Sequence, residues 1–367
     1  MRLLFSSTRT LSERHSWLAG FCLAFPFAYP GVPYYWIAFA VFGSMLFYGR
    51  QPIPLRIQLL ITLAMLSAAL SSYLGLSGYY IGERQIAGSI LFYGFFVFGS
   101  LVPDLQRFFK GLFAGICVVA TLVMLVFFIE RPYQVGLIMF SVADYRLWGA
   151  NYFPDWPNYL AFMLGLGFLL GIFVERRFVL AAVCLIAAFM TTSRTPLFAL
   201  GFALIFILFK MGWRARIISF LAGLVFLIIS AVVLLPTADM GAEFFVRLFL
   251  FSDRAEVYSS AWRLFEVSPY LGSGAVLLDE RVGNHGAASF HNTYLDILVR
   301  QGFLGLIIFL ALVFPNIRRA RPEHVWMMGA IIMYFLVPSM FQNFLKHPHF
   351  VMIYSAILAT LVRRKDL

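Results

Sequence analysis

Charged residues are scarce in this chain. They make up only 12% of its 367 residues, and acidic residues are the rarer sign, at 17 against 28 Lys and Arg. A typical soluble domain has about 25% charged residues, so the class of water-soluble globular proteins is excluded. Cysteine is also scarce, with Cys22, Cys117 and Cys184 all in apolar segments. This pattern excludes a disulfide framework or a cysteine zinc site, and it predicts small buried hydrophobic residues.

Long polar stretches are missing as well. The longest, at about 237–290, is too short to build much of a core of its own. We find no internal repeat, no low-complexity segment and no pair of matching halves of the kind seen in transporters. Apolar residues reach 62% and aromatic residues 18%. The sequence therefore predicts an all-α polytopic integral membrane protein.

Apolar runs of about 20 residues, long enough to cross roughly 30 Å of hydrocarbon, predict about twelve transmembrane helices. The candidates lie near 16–30, 33–48, 55–74, 86–102, 108–129, 156–174, 177–192, 195–210, 216–236, 293–314, 325–341 and 348–363. The first, seventh and eighth are short, so ten or eleven is an alternative count. The predicted organisation is nine membrane helices in 1–236, an outer loop with a short amphipathic helix in 237–290, and three helices in 291–367.

The N-terminus has two readings. Arg2, Arg9 and Arg14 precede an apolar stretch, as in a signal peptide, but no small-residue cleavage site follows. We therefore predict an uncleaved first membrane helix.

Basic residues decide the orientation. With both termini in the cytoplasm, 18 of the 28 Lys and Arg lie on the inner side, nine on the outer side and Arg300 within a helix. The positive-inside rule favours this arrangement. The net charge of +11 then requires no nucleic-acid partner.

Outer arginines are not explained by topology. Six of the nine outer basic residues lie in two loops, at about 130–155 and 237–290. One interpretation is a solvated loop with scattered ion pairs to nearby acidic residues, which contribute little. The other is recognition of an anion.

The stretch "MTTSRTPLFALGF" (190–202) places Arg194 in a turn between two apolar segments at the outer membrane face. A snorkelling arginine that ends a helix is one interpretation. Anion binding is the other, because guanidinium holds phosphate oxygens bidentately and stays charged.

In "SDRAEVYSSAWRLFEVSPYLGSG" (252–274), Arg254, Tyr258 and Trp262 recur at helical spacing before a Pro and Gly stop. This pattern predicts a short amphipathic helix along the outer surface. An interfacial helix with an aromatic anchor is the simpler interpretation, and Arg263 is compatible with a side chain that points to water.

The stretch "SFHNTYLDILVRQGFLG" (289–305) opens a hydrophobic run with His291 and Asn292 and carries Asp296 and Arg300 within it. Polar groups that face lipid are costly, so these side chains are expected to face a cavity or other helices. Helical spacing puts one stripe of residues on a common face: His291, Leu295, Leu298, Gly302 and Gly305. Its two glycines predict the close approach of another helix, with His291 at the outer end of that seam.

Four stretches in order carry a family resemblance: "YRLWGANYFPDWPNYLAFMLGLG", "SRTPLFALG", "DRAEVYSSAWRLFEVSPYLGSG" and "HNTYLDILVRQG". Together, over roughly 145–310, they resemble the O-antigen ligase and polymerase superfamily, most closely the ligases. The resemblance implies a membrane glycosyltransferase of the GT-C-like kind in the bacterial inner membrane, with its active site facing the periplasm and one larger periplasmic loop. It also implies an undecaprenyl-pyrophosphate-linked glycan as donor.

The resemblance also implies roles for individual residues. His291, from the His-Asn motif, takes the role of the base that activates the acceptor hydroxyl. Arg194 and Arg254 take the role of binding the donor pyrophosphate, and Arg146 in "YRLWG" resembles a third such arginine. Secondary candidates are Asn292, Tyr258, Arg263 and Asn158. For Asn158, the chain departs from the family pattern Asn-Pro-Asn, since Trp156 precedes Pro157.

These residue types suit the implied reaction. A hydroxyl displaces a diphosphate from an anomeric carbon, so one proton must leave and growing negative charge must be neutralised. The chain has no Asp-x-Asp pair and no acidic cluster with metal-ligand spacing. We therefore predict no cofactor, no metal, and a single inverting displacement, because no carboxylate is placed as a nucleophile.

The acceptor separates two alternatives. A ligase transfers the glycan to the lipid A-core oligosaccharide, and a polymerase transfers it to another undecaprenyl-linked repeat. The compact His-Asn-x9-Gly motif after a single outer loop resembles the ligases. Rivals from other classes are a transporter or flippase for lipid-linked sugars, which would need a polar path to the cytoplasmic face, and a structural membrane protein, which gives no reason for the motifs.

Overall fold

The structure is a computed structural model. It describes most residues in 2–24, 55–74, 93–130, 157–190, 194–208, 252–274, 290–314 and 322–362, together with a few positions between 37 and 53.

Helices make up all the regular structure of the described residues. In chain order they are α1 (Arg2–Ala24), α2 (Leu55–Leu74), α3 (Phe98–Leu101), α4 (Leu105–Glu130), α5 (Pro157–Phe173), α6 (Phe178–Met190), α7 (Arg194–Leu208), α8 (Ser252–Val267), α9 (Thr293–Val313), α10 (Pro322–Leu336) and α11 (Pro348–Val362). Two short 3-10 helices, Pro338–Met340 and Phe344–Lys346, lie between α10 and α11.

Three of these helices contain stretches that are long and apolar enough to cross a membrane, namely Leu55–Leu74, Leu105–Leu125 and Thr293–Val313. Five shorter apolar helices accompany them, at Asn158–Phe173, Phe178–Phe189, Thr195–Leu204, Gly329–Met340 and His349–Ala359. The prediction of an all-α multi-pass membrane protein is confirmed at this level. The predicted span 216–236 lies outside the described residues, as do most of 33–48 and the first part of 86–102.

The first helix begins earlier than predicted, at Arg2 instead of near residue 16. Hydropathy locates the part of a helix that lies in lipid, and α1 continues through the polar residues before it. The predicted start was therefore wrong, although α1 covers the first part of the predicted run, as far as Ala24.

Contacts between α1 and α4 show that these two helices run parallel. A Cβ added at Gly111 would meet the Trp17 backbone, and one added at Gly115 would lie 2.7 Å from the Phe21 carbonyl oxygen. Gly111 and Gly115 form a Gly-x-x-x-Gly pair, which allows two helix backbones to approach closely. Parallel packing is what the predicted topology requires, because it takes both helices from the inner side to the outer side.

Helix α5 packs antiparallel to both α4 and α6. A Cβ added at Gly171 would lie 2.8 Å from both Phe113 in α4 and Ala181 in α6, and one added at Gly167 would lie 3.1 Å from the Cys184 sulfur. The Cys184 thiol is buried and its sulfur lies 3.9 Å from that of Cys117, with both thiols free. The prediction that the cysteines serve as small packing residues fits this position.

An aromatic cluster lies between α5, α10 and α11. It fills the half of the bundle that the predicted topology places on the outer side, and we call the end of this half the outer end. Phe162 stacks on Tyr334 at 4.6 Å and on Phe344 at 4.3 Å between ring centroids. Phe335 and Phe350 meet the Phe162 ring edge-on. Because the Tyr334 hydroxyl also donates to the Phe162 carbonyl at 2.9 Å, α5 and α10 are fixed in register just below the outer end.

Candidate functional site

The starts of three helices meet at the outer end of the bundle, around the segment 338–346 that joins α10 to α11. Tyr159, in the first turn of α5, contacts Phe344 with 5.2 Å between ring centroids. Phe198, one turn into α7, contacts Phe341 at 6.2 Å. At the start of α9, the Thr293 hydroxyl donates to the Gln342 carbonyl at 3.2 Å. Helix α11 begins directly after this segment, at Pro348.

This arrangement has an electrostatic consequence. The start of an α-helix carries roughly +0.5 elementary charge from its unpaired N–H groups, and anions are stabilised near it. Four helix starts, those of α5, α7, α9 and α11, lie at one end of the bundle. The outer end is therefore favourable for a negatively charged ligand even before side chains are considered.

The residues on both sides of His291 are held firmly, although His291 itself lies outside the described residues. The Asn292 side chain caps α9, accepting hydrogen bonds from the backbone of Tyr294 and Leu295 at 3.0 Å each. Phe290 is 1% exposed and packs against α8. Asn292 thus has a structural role as a helix cap, and the two residues that flank His291 in the chain each have packing or hydrogen-bond partners of their own.

Helix α8 lies against α9 through a small hydrophobic cluster that is separate from the main core. The cluster contains Val257, Ala261, Leu264 and Phe265 from α8 together with Phe290 and Val299. The prediction of a short amphipathic helix is confirmed, since Trp262 and Arg263 are exposed on the same element. Arg254 is the third residue of α8 and lies in its first turn.

Two secondary candidates on α8 differ in position. Tyr258 is half-buried and follows Arg254 by one turn, so the two share a helix face. Arg263 follows Arg254 by nine residues, which places it on the opposite face, and its side chain is exposed. The structure therefore separates Arg263 from the face that carries Arg254 and Tyr258.

Helix α9 is broken at Gly302. This residue has φ 64° and ψ −167°, in a region of backbone space that is essentially restricted to glycine. A continuous helix would pair the N–H groups of Phe303 and Leu304 with the carbonyls of Val299 and Arg300. At the break, these four backbone groups must find other partners, because unpaired groups are costly in a membrane.

The partners come from residues 268–274, which we call the insert. Phe303 N–H donates to the Pro269 carbonyl at 2.8 Å, and Leu304 N–H donates to the Tyr270 carbonyl at 3.2 Å. In return, the Val299 carbonyl accepts from Ser273 N–H at 2.8 Å and the Arg300 carbonyl accepts from Gly274 N–H at 3.0 Å. Two helical hydrogen bonds are thereby replaced by four bonds to the insert.

The glycines of α9 were predicted to admit another helix, and this prediction is wrong in the nature of the partner. At Gly302 the close neighbour is the Tyr270 and Leu271 backbone of the insert, which is not helical. At Gly305 the space that a Cβ would take is filled by the Gln301 side chain of α9 itself. Spacing alone indicated a close approach but could not show that the helix breaks to receive it.

The acidic and basic residues within α9 pair inside the protein. Asp296 and Arg300 are each 3% exposed or less, and the Arg300 Nε donates to the Asp296 Oδ1 at 3.1 Å. The Tyr93 hydroxyl donates to the Gln301 Oε1 at 2.7 Å. As predicted, these polar groups face other parts of the protein, where burial in a pair costs less than exposure to lipid.

The other predicted site residues are placed as follows. Arg194 is the first residue of α7, and Asn158 lies in the first turn of α5 where it is partly buried. Arg146 lies outside the described residues, as does His291. The structure thus brings the start of α7 and the start of α9 to one segment, with α8 packed beside α9. No group of three or more His, Cys, Asp or Glu side chains able to hold a metal occurs in the described part of the chain.

Residues 179–310 match the family described as O-antigen ligase. Over this segment, about a third of the chain, the protein is similar to the O-antigen ligase and polymerase superfamily. The predicted resemblance is confirmed for this segment, and the match supports a ligase-type or polymerase-type function. The matched segment runs from α6 into α9 and contains the Ser-Arg turn, α8 and the His-Asn motif, whereas Arg146 and Asn158 precede it. Comparison with curated proteins gives no significant match.

Two parts of the candidate site were missed by sequence reasoning, the insert and the segment 338–346. Both consist of non-helical or 3-10 backbone next to an apolar run. Two prolines mark the second part in the sequence: Pro338 is its first residue, and Pro348 follows it at the start of α11. They indicate a break there, because proline favours the first turn of a helix and interrupts the helix before it. In the sequence, the insert shows only the Pro and Gly stop signal of α8.

Proposed function

We propose that this protein is a glycosyltransferase that moves a glycan from undecaprenyl pyrophosphate to the lipid A-core oligosaccharide, as an O-antigen ligase in lipopolysaccharide biosynthesis. The proposed location is the bacterial inner membrane, with both termini in the cytoplasm and the active site facing the periplasm. The match over residues 179–310 carries the proposal, because three of the four motifs fall within it.

The outer end of the bundle supports an anionic donor. Arg194 begins α7 and Arg254 lies in the first turn of α8, so each arginine adds its charge to the positive end of a helix. We assign both residues to the donor pyrophosphate, with Arg146 as a third. Arginine suits this task because its planar fork can bind two phosphate oxygens at once.

His291 is assigned as the general base. In the proposed step, the histidine takes the proton of the acceptor hydroxyl while that oxygen bonds to the anomeric carbon. The bond between this carbon and the phosphate oxygen breaks, and undecaprenyl pyrophosphate leaves with the electron pair. One displacement of this kind inverts the anomeric configuration. An unperturbed histidine pKa of about 6.5 suits a base at neutral pH.

A polymerase that uses the same donor is the alternative. It differs only in its acceptor, which would be a second lipid-linked repeat unit. Complementation distinguishes the two: the gene is expressed in one strain that lacks the O-antigen ligase and in another that lacks the polymerase. We expect the lipopolysaccharide ladder to return in the ligase-deficient strain only. If the ladder returns only in the polymerase-deficient strain, which otherwise shows single-repeat capping, the acceptor assignment is wrong.

Transfer is expected to be independent of divalent metal. If arginines neutralise the leaving diphosphate, purified protein in lipid should transfer glycan at an undiminished rate in excess EDTA, because no metal is needed for that charge. The measurement is the initial rate with and without chelator, together with a metal-dependent glycosyltransferase as a positive control for chelation. Loss of activity that Mg²⁺ or Mn²⁺ restores would contradict the arginine-only mechanism.

A further inference from the structure

We propose that the insert is a latch that fixes α8 against the broken helix α9, and that Gly272 and Gly302 are positioning residues acting through Arg254. This inference rests on the proposed function, which assigns roles to Arg254 on α8 and to His291 just before α9. The relative position of these two helices matters only if those assignments hold.

The first support is the reciprocal fit of two glycines. A Cβ added at Gly302 would collide with the backbone of Tyr270 and Leu271 in the insert. A Cβ added at Gly272 would collide with the backbone of Arg300 and Gln301 in α9. Both glycines also have positive φ, 79° at Gly272 and 64° at Gly302. The two positions are thus the two sides of one contact, and a side chain on either side would expel the insert.

The second support is the attachment of the insert to α8. Ser268 N–H donates to the Phe265 carbonyl at 3.1 Å, and the Ser273 hydroxyl donates to the Leu264 carbonyl at 2.7 Å. Gly272 N–H closes the turn by donating to the Ser268 carbonyl at 2.8 Å. The insert therefore continues the C-terminal end of α8 as one unit, and when it sits in the break it sets where α8 ends.

The third support is the length of α8. Arg254 lies 13 residues before Val267, or about 20 Å along the helix axis. Tilting a rod of that length by roughly 10° about its C-terminal end would move Arg254 by about 3 Å, and a misplacement of about 1 Å is enough to cost a hundredfold in rate. A small change in the tilt of α8 at the latch would thus become a large displacement of Arg254.

The experiment measures binding of undecaprenyl pyrophosphate to the purified full-length protein in lipid. The variants are Gly302→Ala, Gly272→Ala, Arg254→Lys and the double variants, with Gly201→Ala as a matched control. A Cβ at Gly201 would meet nothing within 4 Å, so this helical glycine tests the substitution without the collision. Thermal unfolding and gel filtration of each variant report on folding.

We expect Arg254→Lys to weaken binding about tenfold or more, in line with the loss of a charge-assisted pair. Gly302→Ala and Gly272→Ala should weaken it similarly, and combining them should be no worse than the weaker-binding single variant, because either one opens the same latch. In the Gly302→Ala background, Arg254→Lys should have little further effect. General destabilisation would not produce this loss of additivity.

The outcomes separate the two proposals. If Arg254→Lys binds like the wild type, the assignment of Arg254 to pyrophosphate fails. The proposal that the latch positions Arg254 for binding then fails as well. If Arg254→Lys weakens binding while both glycine variants match Gly201→Ala, or if their effects multiply with that of Arg254→Lys, the latch is refuted and the function stands. Should neither glycine variant fold, the latch is also refuted, because the insert would then be a requirement of folding.

Discussion

Replacing His291 with alanine is expected to abolish glycan transfer while leaving the protein folded and inserted. Without the base, the acceptor hydroxyl keeps its proton, and the usual loss for a general base is about 10²–10⁴-fold. Folding should survive because the neighbouring backbone is fixed by other contacts, through the Asn292 cap and the buried Phe290 ring. The measurement is the initial rate of transfer by purified protein, with gel filtration to check its integrity.

The matched control for this experiment is His324→Ala. His324 is the third residue of α10, a helix that runs from the predicted inner side to the outer end. Its removal should leave the rate close to that of the wild type. A normal rate for His291→Ala as well would exclude His291 as the base. Its role would then be structural, in the packing of the helices.

Lysine in place of Arg194 or Arg254 is expected to be almost as damaging as alanine. Ammonium is a compact point charge and cannot bind two oxygens of a diphosphate in one plane. Loss of one preorganised charge-stabilising group typically costs about 10²–10³-fold in rate. Donor affinity should fall together with the rate, because the same oxygens are held before and during departure of the diphosphate. Kinetics at varied donor concentration measure both effects.

Arg107→Lys provides a control of matched geometry. Arg107 is the third residue of α4, as Arg254 is the third residue of α8, but it lies on the predicted inner side, where it reaches Glu13 at 3.8 Å. This variant should keep its activity. Normal turnover of lipid-linked donor by both outer lysine variants would show that Arg194 and Arg254 serve only as topological or interfacial charges.

Much of the helical framework could be predicted from the sequence, and the reason is physical. The apolar runs predicted at 55–74 and 293–314 correspond closely to α2 (Leu55–Leu74) and α9 (Thr293–Val313). In lipid, every backbone polar group must be satisfied within the segment, so an apolar run of sufficient length has little alternative to a helix. Helix direction follows from alternation, and the parallel packing of α1 with α4 agrees with it.

The break in α9 could not be predicted in the same way. A single glycine within an apolar run is compatible with a continuous helix, and Gly302 adopts its conformation only because residues 268–274 supply the missing partners. That information is non-local, since the insert and the break are separated by the whole segment that contains His291. The final glycine of the His-Asn-x9-Gly motif nevertheless falls at the break, which gives the motif a conformational reason for its length.

The candidate site was predictable in residue type but less so in arrangement. Arginine in a turn before an apolar run predicted the start of a helix at Arg194. The helical spacing in 252–274 predicted α8 but not its buried face, which is formed by Val257, Ala261, Leu264 and Phe265. By contrast, the meeting of α7 and α9 depends on Phe341 and Gln342, which join them through one ring contact and one carbonyl. Neither residue has a spacing that marks it in the sequence.

The buried pair of Asp296 and Arg300 has a consequence for the energised membrane. The transmembrane potential acts on net charge, at about 2.3 kcal/mol per elementary charge for each 100 mV. These two charges are opposite and are separated by only about 6 Å along the helix axis, so their interactions with the field largely cancel. Helix α9 therefore carries polar groups inside the membrane without acting as a voltage sensor. The position of its first turn, which follows the His-Asn motif in the chain, should be the same in energised and de-energised cells.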